Sequence, residues 1–319
     1  MIELEGAIPE HAEGIDLESD WLYRTDLGRA LTANSLDAVK LLPDASVNAI
    51  ITSPPFALLR KKAYGNRAED EYVEWFLQFA KEFHRVLTPD GSLVIEIGGA
   101  WLPGTPLRSI YQFDLLVRLV RDLKFGLAED FYWNNPAKLP GPAQWVNIER
   151  IRVKDSVSNI WWLCKTDRPK ADNRKVLKAY SESQKRIMRT GKYNDGLRPS
   201  GHMIGKKFAN DNGGAIPPNL IEVSNTRAYD DYQGYCREHD LVVHPARFPA
   251  EIPEFFVRFL TDQNDLVLDP FAGSNLTGAV AEALGRRWLS FDLDEAYLRG
   301  SIGRFLSAAG LEVSDAGIV

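Results

Sequence analysis

"DLVLDPFAGSNLTGAVAEAL", residues 265–284, runs from an apolar segment through a glycine-containing turn into a second apolar segment of different period. The first part has the look of a buried strand over 265–269, the second of a helix over about 275–285. Strand–glycine turn–helix units bind nucleotide-like ligands just beyond the carboxyl end of the strand. Here an acid, Asp269, and an aromatic, Phe271, flank the turn. The G-x-G-x-x-G fingerprint and a Walker-type lysine are both missing, so a pyrophosphate or triphosphate is a poor match. The following strand, in "RWLSFDLD" (287–294), ends with Asp292, the position from which an acid grips a ribose hydroxyl pair.

A second corner lies near the start of the chain, in "SVNAIITSPPFALLRKK" (46–62). The apolar run Val47–Ile51 reads as a strand, and Pro54–Pro55 must end it, because neither has an amide donor and both have a fixed φ. Each proline also holds its predecessor extended. The corner is stiff, with a hydroxyl at one end (Ser53), an aromatic face at the other (Phe56), and free carbonyls between.

Elsewhere, strand and helix patterns alternate. "DAVKLLPDASVNAIIT" predicts a short helix, a turn at Pro43–Asp44, and the strand. "EDEYVEWFLQFAKEFHRVL" carries Tyr72, Val73, Phe76, Phe79, Ala80, Phe83, Val86 and Leu87 at helical spacing, with "TPDG" closing the helix. "SLVIEI" (92–97) is a second buried strand. A helix follows over about 113–123, then strands in "LAEDFYWNN" and "VSNIWWLCKT". Regular patterning stops after Thr166, resumes near 240, and includes a helix over roughly 250–261. The expectation is an α/β fold with a parallel sheet covered by helices on both faces, and a loop-rich insertion.

The chain of 319 residues is 45% hydrophobic and 26% charged, an ordinary globular balance. No apolar run is long enough to span a bilayer and no basic–apolar leader opens the chain, which points to the cytoplasm. Two cysteines, Cys164 and Cys236, speak against a disulfide framework or a cysteine zinc site. The net charge of −6 conceals a segregation: residues 165–207 hold 13 Lys and Arg against 4 Asp and Glu, a local +9, leaving −15 elsewhere. That stretch also carries Tyr180, Tyr193, His202 and Phe208 among glycines, a composition suited to contact with a polyanion.

Together the two corners resemble a known family. "TSPPF" (52–56) is similar to the catalytic motif of amino-group DNA methyltransferases. "DPFAGSNLTG" (269–278) resembles their S-adenosyl-L-methionine loop, and "HPARFPAEIPEFFVRF" (244–259) their cofactor-side helix entry. Catalytic motif first, recognition region next and cofactor motif last is the β-type order, and Ser before Pro-Pro resembles the cytosine-N4 subgroup. Asn275 departs from the wider family, where a third small glycine is usual.

The resemblance implies a Rossmann-like S-adenosylmethionine-dependent sheet and divides the chain. An irregular arm (1–20) precedes a catalytic half (21–165), a target-recognition region (166–240), a cofactor-binding half (241–310) and a tail (311–319). It implies N4-methylcytosine formation on a base flipped from double-stranded DNA, without metal or membrane, in a prokaryotic cytoplasm and with a possible partner restriction endonuclease. Ser53, Pro54, Pro55, Phe56 and Glu96 are the expected catalytic set. The hydroxyl of Ser53 and the carbonyl of Pro54 would accept from the amino group, and Phe56 would stack on the base. Glu96 is either the final proton acceptor or a structural acid bonded to amides.

Asp269, Phe271, Gly273, Ser274, Asn275, Thr277, Asp292, His244 and Phe248 are the expected cofactor set, with Asn34 a candidate for the pocket wall. Lys185, Arg186, Arg189, Lys192, Arg198, Lys206 and Lys207 are expected to contact DNA. Adenine-N6 methylation is the alternative chemistry, and a non-catalytic DNA-binding protein of the same fold the alternative class. Cytosine-C5 methylation is excluded, since it uses a thiolate set in a Pro-Cys turn, and Leu163 and Tyr235 precede the two cysteines.

Overall fold

The computed structural model describes residues 15–56, 69–193, 196–197, 199–201, 203–226, 230–246 and 249–314, without the side chains of residues 69, 70, 204 and 206. Most of the expected arm, the end of the tail, Arg198, Phe248 and the side chain of Lys206 therefore lie outside the described residues. The chain divides into two compact units, one of Met1–Lys170 with Asn219–Val319, the other of Ala171–Pro218.

In the larger unit, β1 (Tyr23–Arg24), β2 (Gly28–Thr32), α1 (Ser35–Lys40), β3 (Val47–Thr52), α2 (Glu69–Val86), β4 (Leu87–Ile97) and α3 (Tyr111–Arg121) come first. β5 (Gly126–Asn134) and β6 (Val157–Cys164) follow. The smaller unit holds α4 (Glu182–Thr190), β7 (Gly196–Leu197) and β8 (Met203–Ile204). The larger unit then resumes with β9 (Leu220–Glu222), α5 (Asp231–Glu238), α6 (Glu251–Leu260), β10 (Leu266–Asp269), α7 (Leu276–Ala283), β11 (Arg287–Asp292), α8 (Glu295–Ser301) and β12 (Glu312–Val313).

Ten strands form one sheet in the order β12-β1-β2-β11-β10-β3-β4-β6-β5-β9. The centre, β2-β11-β10-β3-β4, is parallel, as expected. The margins are not: β6 runs antiparallel to both β4 and β5, and β1 antiparallel to β2 and β12. The expected all-parallel sheet is thus corrected to a mixed one. β5 and β6 form a hairpin with a long loop, a connection that needs no crossover helix. β5 is exposed over most of its first half, the pattern of a sheet margin and not of a doubly covered strand.

Helices cover both faces of the sheet centre. Along β4, Leu93, Ile95 and Ile97 point into the core shared with α1, α2 and α3, while Val94 points into the core shared with α6, α7 and α8. α2 contributes Tyr72, Phe76, Phe79 and Phe83, all buried, and each such side chain adds about 2–3 kcal/mol of transfer free energy. "TPDG", expected to close α2, instead lies inside β4, where the pairing with β3 is irregular between Val47 and Ala49. Residues 219–240, expected to be irregular, contribute β9, paired with β5, and α5, whose Tyr232 and Cys236 are buried.

β3 and β10 lie side by side in the sheet, and the chain leaves them in opposite directions, through α2 to β4 and through α7 to β11. This is a topological switch point, the place where open α/β sheets leave a crevice beyond their strand ends.

Candidate active site

Both corners emerge at that switch point. β3 and β10 are parallel and in register, Ala49 with Val267 and Ile50 with Leu268, so their last residues meet. Thr52 Oγ1 donates to Asp269 Oδ1 at 2.7 Å and binds the two strand ends together. Beyond them opens a cavity of about 650 Å³. Ser53, Pro54, Pro55, Phe56 and Glu96 line it from the β3 corner, and Phe271, Gly273, Ser274, Asp292 and His244 from the cofactor corner.

Ser53 Oγ donates to Glu96 Oε2 at 2.6 Å. Glu96 comes from the end of β4, whose pairing with β3 sets Ile95 beside Thr52. Its carboxylate is buried, and burial is the main cause that raises its pKa above the ordinary glutamate value. The hydroxyls of Ser53 and Ser158 and the charge of Lys138 oppose that rise. Oε1 has no partner in hydrogen-bonding geometry, so Ser158 favours the anion without satisfying that oxygen. Phe56 rests on the turn after β4. A Cβ at Gly98 would come within 2.7 Å of its ring, so only glycine leaves room for the aromatic there.

On the opposite side, Gly273 has φ +51°, and its N–H donates to Asp292 Oδ2 at 2.7 Å. A Cβ there would also meet the His244 ring at 3.0 Å, which makes the position doubly a glycine's. His244 lies edge-on to Tyr297, with centroids 4.5 Å apart and planes at 82°. Asp292 Oδ1 accepts the Asp294 N–H at 2.9 Å. Burial raises its pKa, against the pull of those amides. Phe271 packs at 5.2 Å from Phe79 and 5.9 Å from Trp75, which fixes its ring in the cavity wall. Asn34 also lines the wall while capping α1 through Leu36 N–H, 3.0 Å away.

Lys138 is the one Lys or Arg among the described lining residues. The side bounded by Phe271, Tyr297, His244 and Asp292 thus combines aromatic faces with a carboxylate, which suits a sulfonium cation carrying an adenosine-sized body. Its size and donor set fit S-adenosyl-L-methionine.

Three expected cofactor residues do not line the cavity. Asp269 is buried, occupied by Thr52 Oγ1 and by the Phe271 N–H at 3.2 Å; burial lifts its pKa to about 6. Asn275, at φ +45°, caps α7 through Gly278 N–H and is locked by Tyr23 and Ser290 hydroxyls at 2.7 and 2.6 Å. Thr277 is buried within α7. Asp269 and Asn275 satisfy buried polar atoms of the fold beneath the turn.

Sequence reasoning missed the third wall, made by Trp133, Asn135, Lys138, Ser156, Ser158 and Asn225. These come from the β5–β6 hairpin and the segment after β9. Asn135 Nδ2 donates to Asn225 Oδ1 at 2.9 Å, and Trp133 Nε1 to the Val223 carbonyl at 2.8 Å. The one available signal was the pair "NN" ending β5, which no motif singles out.

The smaller unit carries the expected DNA-contacting residues. Ser181 caps α4 by accepting from Gln184 N–H, and Gly191 closes it in the left-handed region. Lys185, Arg186 and Arg189 stand exposed on that helix, Arg189 about one turn beyond the other two, with Lys185 paired to Glu182 at 2.7 Å. Lys192 and Lys207 are exposed as well. Among the described residues no cluster of His, Cys, Asp and Glu is placed to hold a metal, and no helix is long and apolar enough to cross a membrane.

A family model described as DNA methylase, N6_N4_Mtase, matches residues 47–303. Type II methyltransferase M.PvuII of Proteus hauseri is 50% identical over 286 residues, covering 89% of this chain and 85% of that protein. Type II methyltransferase M.BamHI of Bacillus amyloliquefaciens is 27% identical over 85% of this chain and 56% of its own length. The solved structure of PvuII DNA methyltransferase (cytosine-N4-specific) superposes with a TM-score of 0.74 at 44% identity, covering 90% of this chain and 89% of that one. A putative DNA modification methylase of Thermus thermophilus, complexed with S-adenosyl-L-methionine, shares the fold at a TM-score of 0.54 and 21% identity, covering 88% and 94%.

Proposed function

The chain belongs to the DNA methylase family N6_N4_Mtase, and from that membership we propose that it is a site-specific DNA methyltransferase of the cytosine-N4 kind. It takes the methyl group of S-adenosyl-L-methionine to the exocyclic amino nitrogen of a cytosine flipped from duplex DNA, in a restriction–modification setting within the cytoplasm. One observation carries the chemistry: Ser53 donates to a buried Glu96 at the wall of a cavity whose other wall suits the cofactor.

The cofactor supplies, when bound, an electrophilic methyl group. The amino nitrogen of cytosine is a weak nucleophile because its lone pair is delocalised into the ring. Ser53 commits its own proton to Glu96, so its lone pairs can accept an amino hydrogen while the Pro54 carbonyl accepts the other. Two fixed acceptors favour a pyramidal nitrogen with its lone pair available. Once the N–C bond has formed, the cationic nitrogen passes one proton to Ser53 Oγ as Ser53 passes its own to Glu96. The raised basicity of a buried carboxylate suits that final acceptance. Phe56 stacks on the flipped base, and Pro55 holds the corner rigid.

Phe271, Gly273, Ser274, Asp292 and His244 bind the cofactor; Asp269, Asn275 and Thr277 support the turn from beneath. The recognition region, 166–240, has its basic centre in the unit Ala171–Pro218, and Lys185, Arg186, Arg189, Lys192 and Lys207 meet the DNA backbone there.

The test is nucleoside mass spectrometry and methylome sequencing of DNA from cells expressing the protein or Ser53→Ala. N4-methylcytosine at one short site in the first, and its loss with DNA binding retained in the second, is expected. N6-methyladenine as the sole product would overturn the base assignment.

A further inference from the structure

Leu139 and Val153 are the most exposed large apolar side chains among the described residues, at 83% each. Both stand in the β5–β6 loop, whose two ends enter the active-site wall through Asn135, Lys138 and Ser156. Leu139 directly follows Lys138, which lines the cavity.

The loop around it is held in place. Lys138 N–H donates to the Asn135 carbonyl at 3.2 Å. Lys154 Nζ reaches back to the carbonyls of Pro136 and Lys138 at 3.2 and 3.3 Å. Asn147 Nδ2 donates to the Pro140 carbonyl at 3.3 Å, and the Trp145 carbonyl accepts from both Ile151 and Arg152. Further along the loop, Arg152 lies 3.6 Å over the Trp101 ring. A leucine turned to water on a braced loop that adjoins the cavity matches an apolar tip able to enter a duplex.

We propose that Leu139 is the wedge that enters the duplex at the position vacated by the flipped base. The proposal rests on the methyltransferase function above. Taking a base out of the stack leaves a gap in which its neighbours lose stacking contacts. An aliphatic side chain filling that gap restores apolar contact and slows the base's return. Leu139 is thereby a positioning residue: it acts on the duplex and leaves the reacting atoms to Ser53 and Glu96. The rigid loop brings the tip and the pocket to the DNA as one body.

Two duplexes carrying the target site test this, one with the target cytosine paired to guanine, the other with it opposite an abasic position, where extrusion is easy. Leu139→Ala should lower kcat/KM about tenfold on the paired duplex and less than about twofold on the abasic one, since the wedge matters only when extrusion is costly. Leu139→Met should keep most of the activity on both. Equal losses of Leu139→Ala on the two duplexes, or no loss on the paired one, overturn the wedge while leaving the enzyme reading intact. Pairing-dependent loss in Val153→Ala but not in Leu139→Ala overturns the assignment to Leu139. Wild-type protein inactive on both duplexes overturns the proposed function itself.

Discussion

Replacing Asp269 with asparagine should stabilise the protein, and by more as the pH rises. Its carboxyl is buried at the switch point, and its pKa stands at about 6 against an ordinary 3.8. Two units at about 1.4 kcal/mol each mean that ionising this group costs the fold about 3 kcal/mol. The folded pKa lies above the unfolded one, so the folded chain holds the proton longer. Stability linked to this group is therefore fully present below about pH 4 and lost as the pH climbs through about 6. Roughly half of the loss falls between about pH 5 and pH 8.

An asparagine Oδ1 can still accept from Thr52 and from the Phe271 N–H, and its Nδ2 can serve the buried Thr277 hydroxyl, which has no partner in hydrogen-bonding geometry. Urea unfolding of both proteins across that pH range gives the difference directly. The stability gain of Asp269→Asn should grow by about 1–2 kcal/mol from the acid end to the alkaline end. Cofactor affinity should change little, because Asp269 does not line the cavity. A gain that is flat with pH, or that shrinks as pH rises, refutes the account of a desolvated carboxylate at this position.

Glu96→Gln should cut single-turnover methylation by about a hundredfold or more and remove the acid limb of the pH–rate profile. In the wild type that limb should fall at a pH above the ordinary glutamate value of 4.5, since burial raises the Glu96 pKa and only the anion accepts the proton. Asp292→Asn should weaken S-adenosyl-L-methionine binding, measured calorimetrically, while leaving Ser53 and Glu96 chemistry intact at saturating cofactor. Reversing Lys185, Arg186 and Arg189 to glutamate should weaken DNA binding and flatten the slope of log affinity against log salt by about one per lost phosphate contact. An unchanged slope in titrations at several salt concentrations would move the DNA surface off α4.

The parts of the site that sequence revealed are those where backbone chemistry dictates residue type. Pro54–Pro55 can only terminate β3, and Gly273 is forced by a left-handed φ pressed against His244. Such constraints act within a few residues and show in a single sequence. Glu96 was found because it ends a buried apolar strand, where an acid needs a reason. The margins of the sheet were harder. β1 and β12 are two-residue strands with no periodicity to detect, and "TPDG" has strong turn chemistry yet sits in β4, where pairing with β3 prevails over local preference.

Asp269 shows why a motif can be recognised and a residue within it still misassigned. The acid belongs to the cofactor turn in sequence, but it is the last residue of β10 and is held by the sheet, while Phe271 lies two residues on, in the turn, where strand alternation no longer sets direction. Phe271 turns into the cavity wall, while Asp269 turns toward Thr52 on the adjacent parallel strand. That bond ties the cofactor turn to the residue before Ser53. The two corners are consequently coupled through one buried hydrogen bond, with Ser53–Glu96 on one side and Gly273–Asp292 on the other. Thr52→Val should therefore disturb both at once. It leaves the Asp269 carboxylate without its hydroxyl donor, which costs about 1–3 kcal/mol of stability. Because the same strand end carries Ser53, it should also lower kcat and raise the cofactor KM together, whereas Ser53→Ala lowers kcat alone. Steady-state kinetics of the two variants would separate a shared strut from two independent turns: an unchanged cofactor KM in Thr52→Val means that the corners are held in place separately.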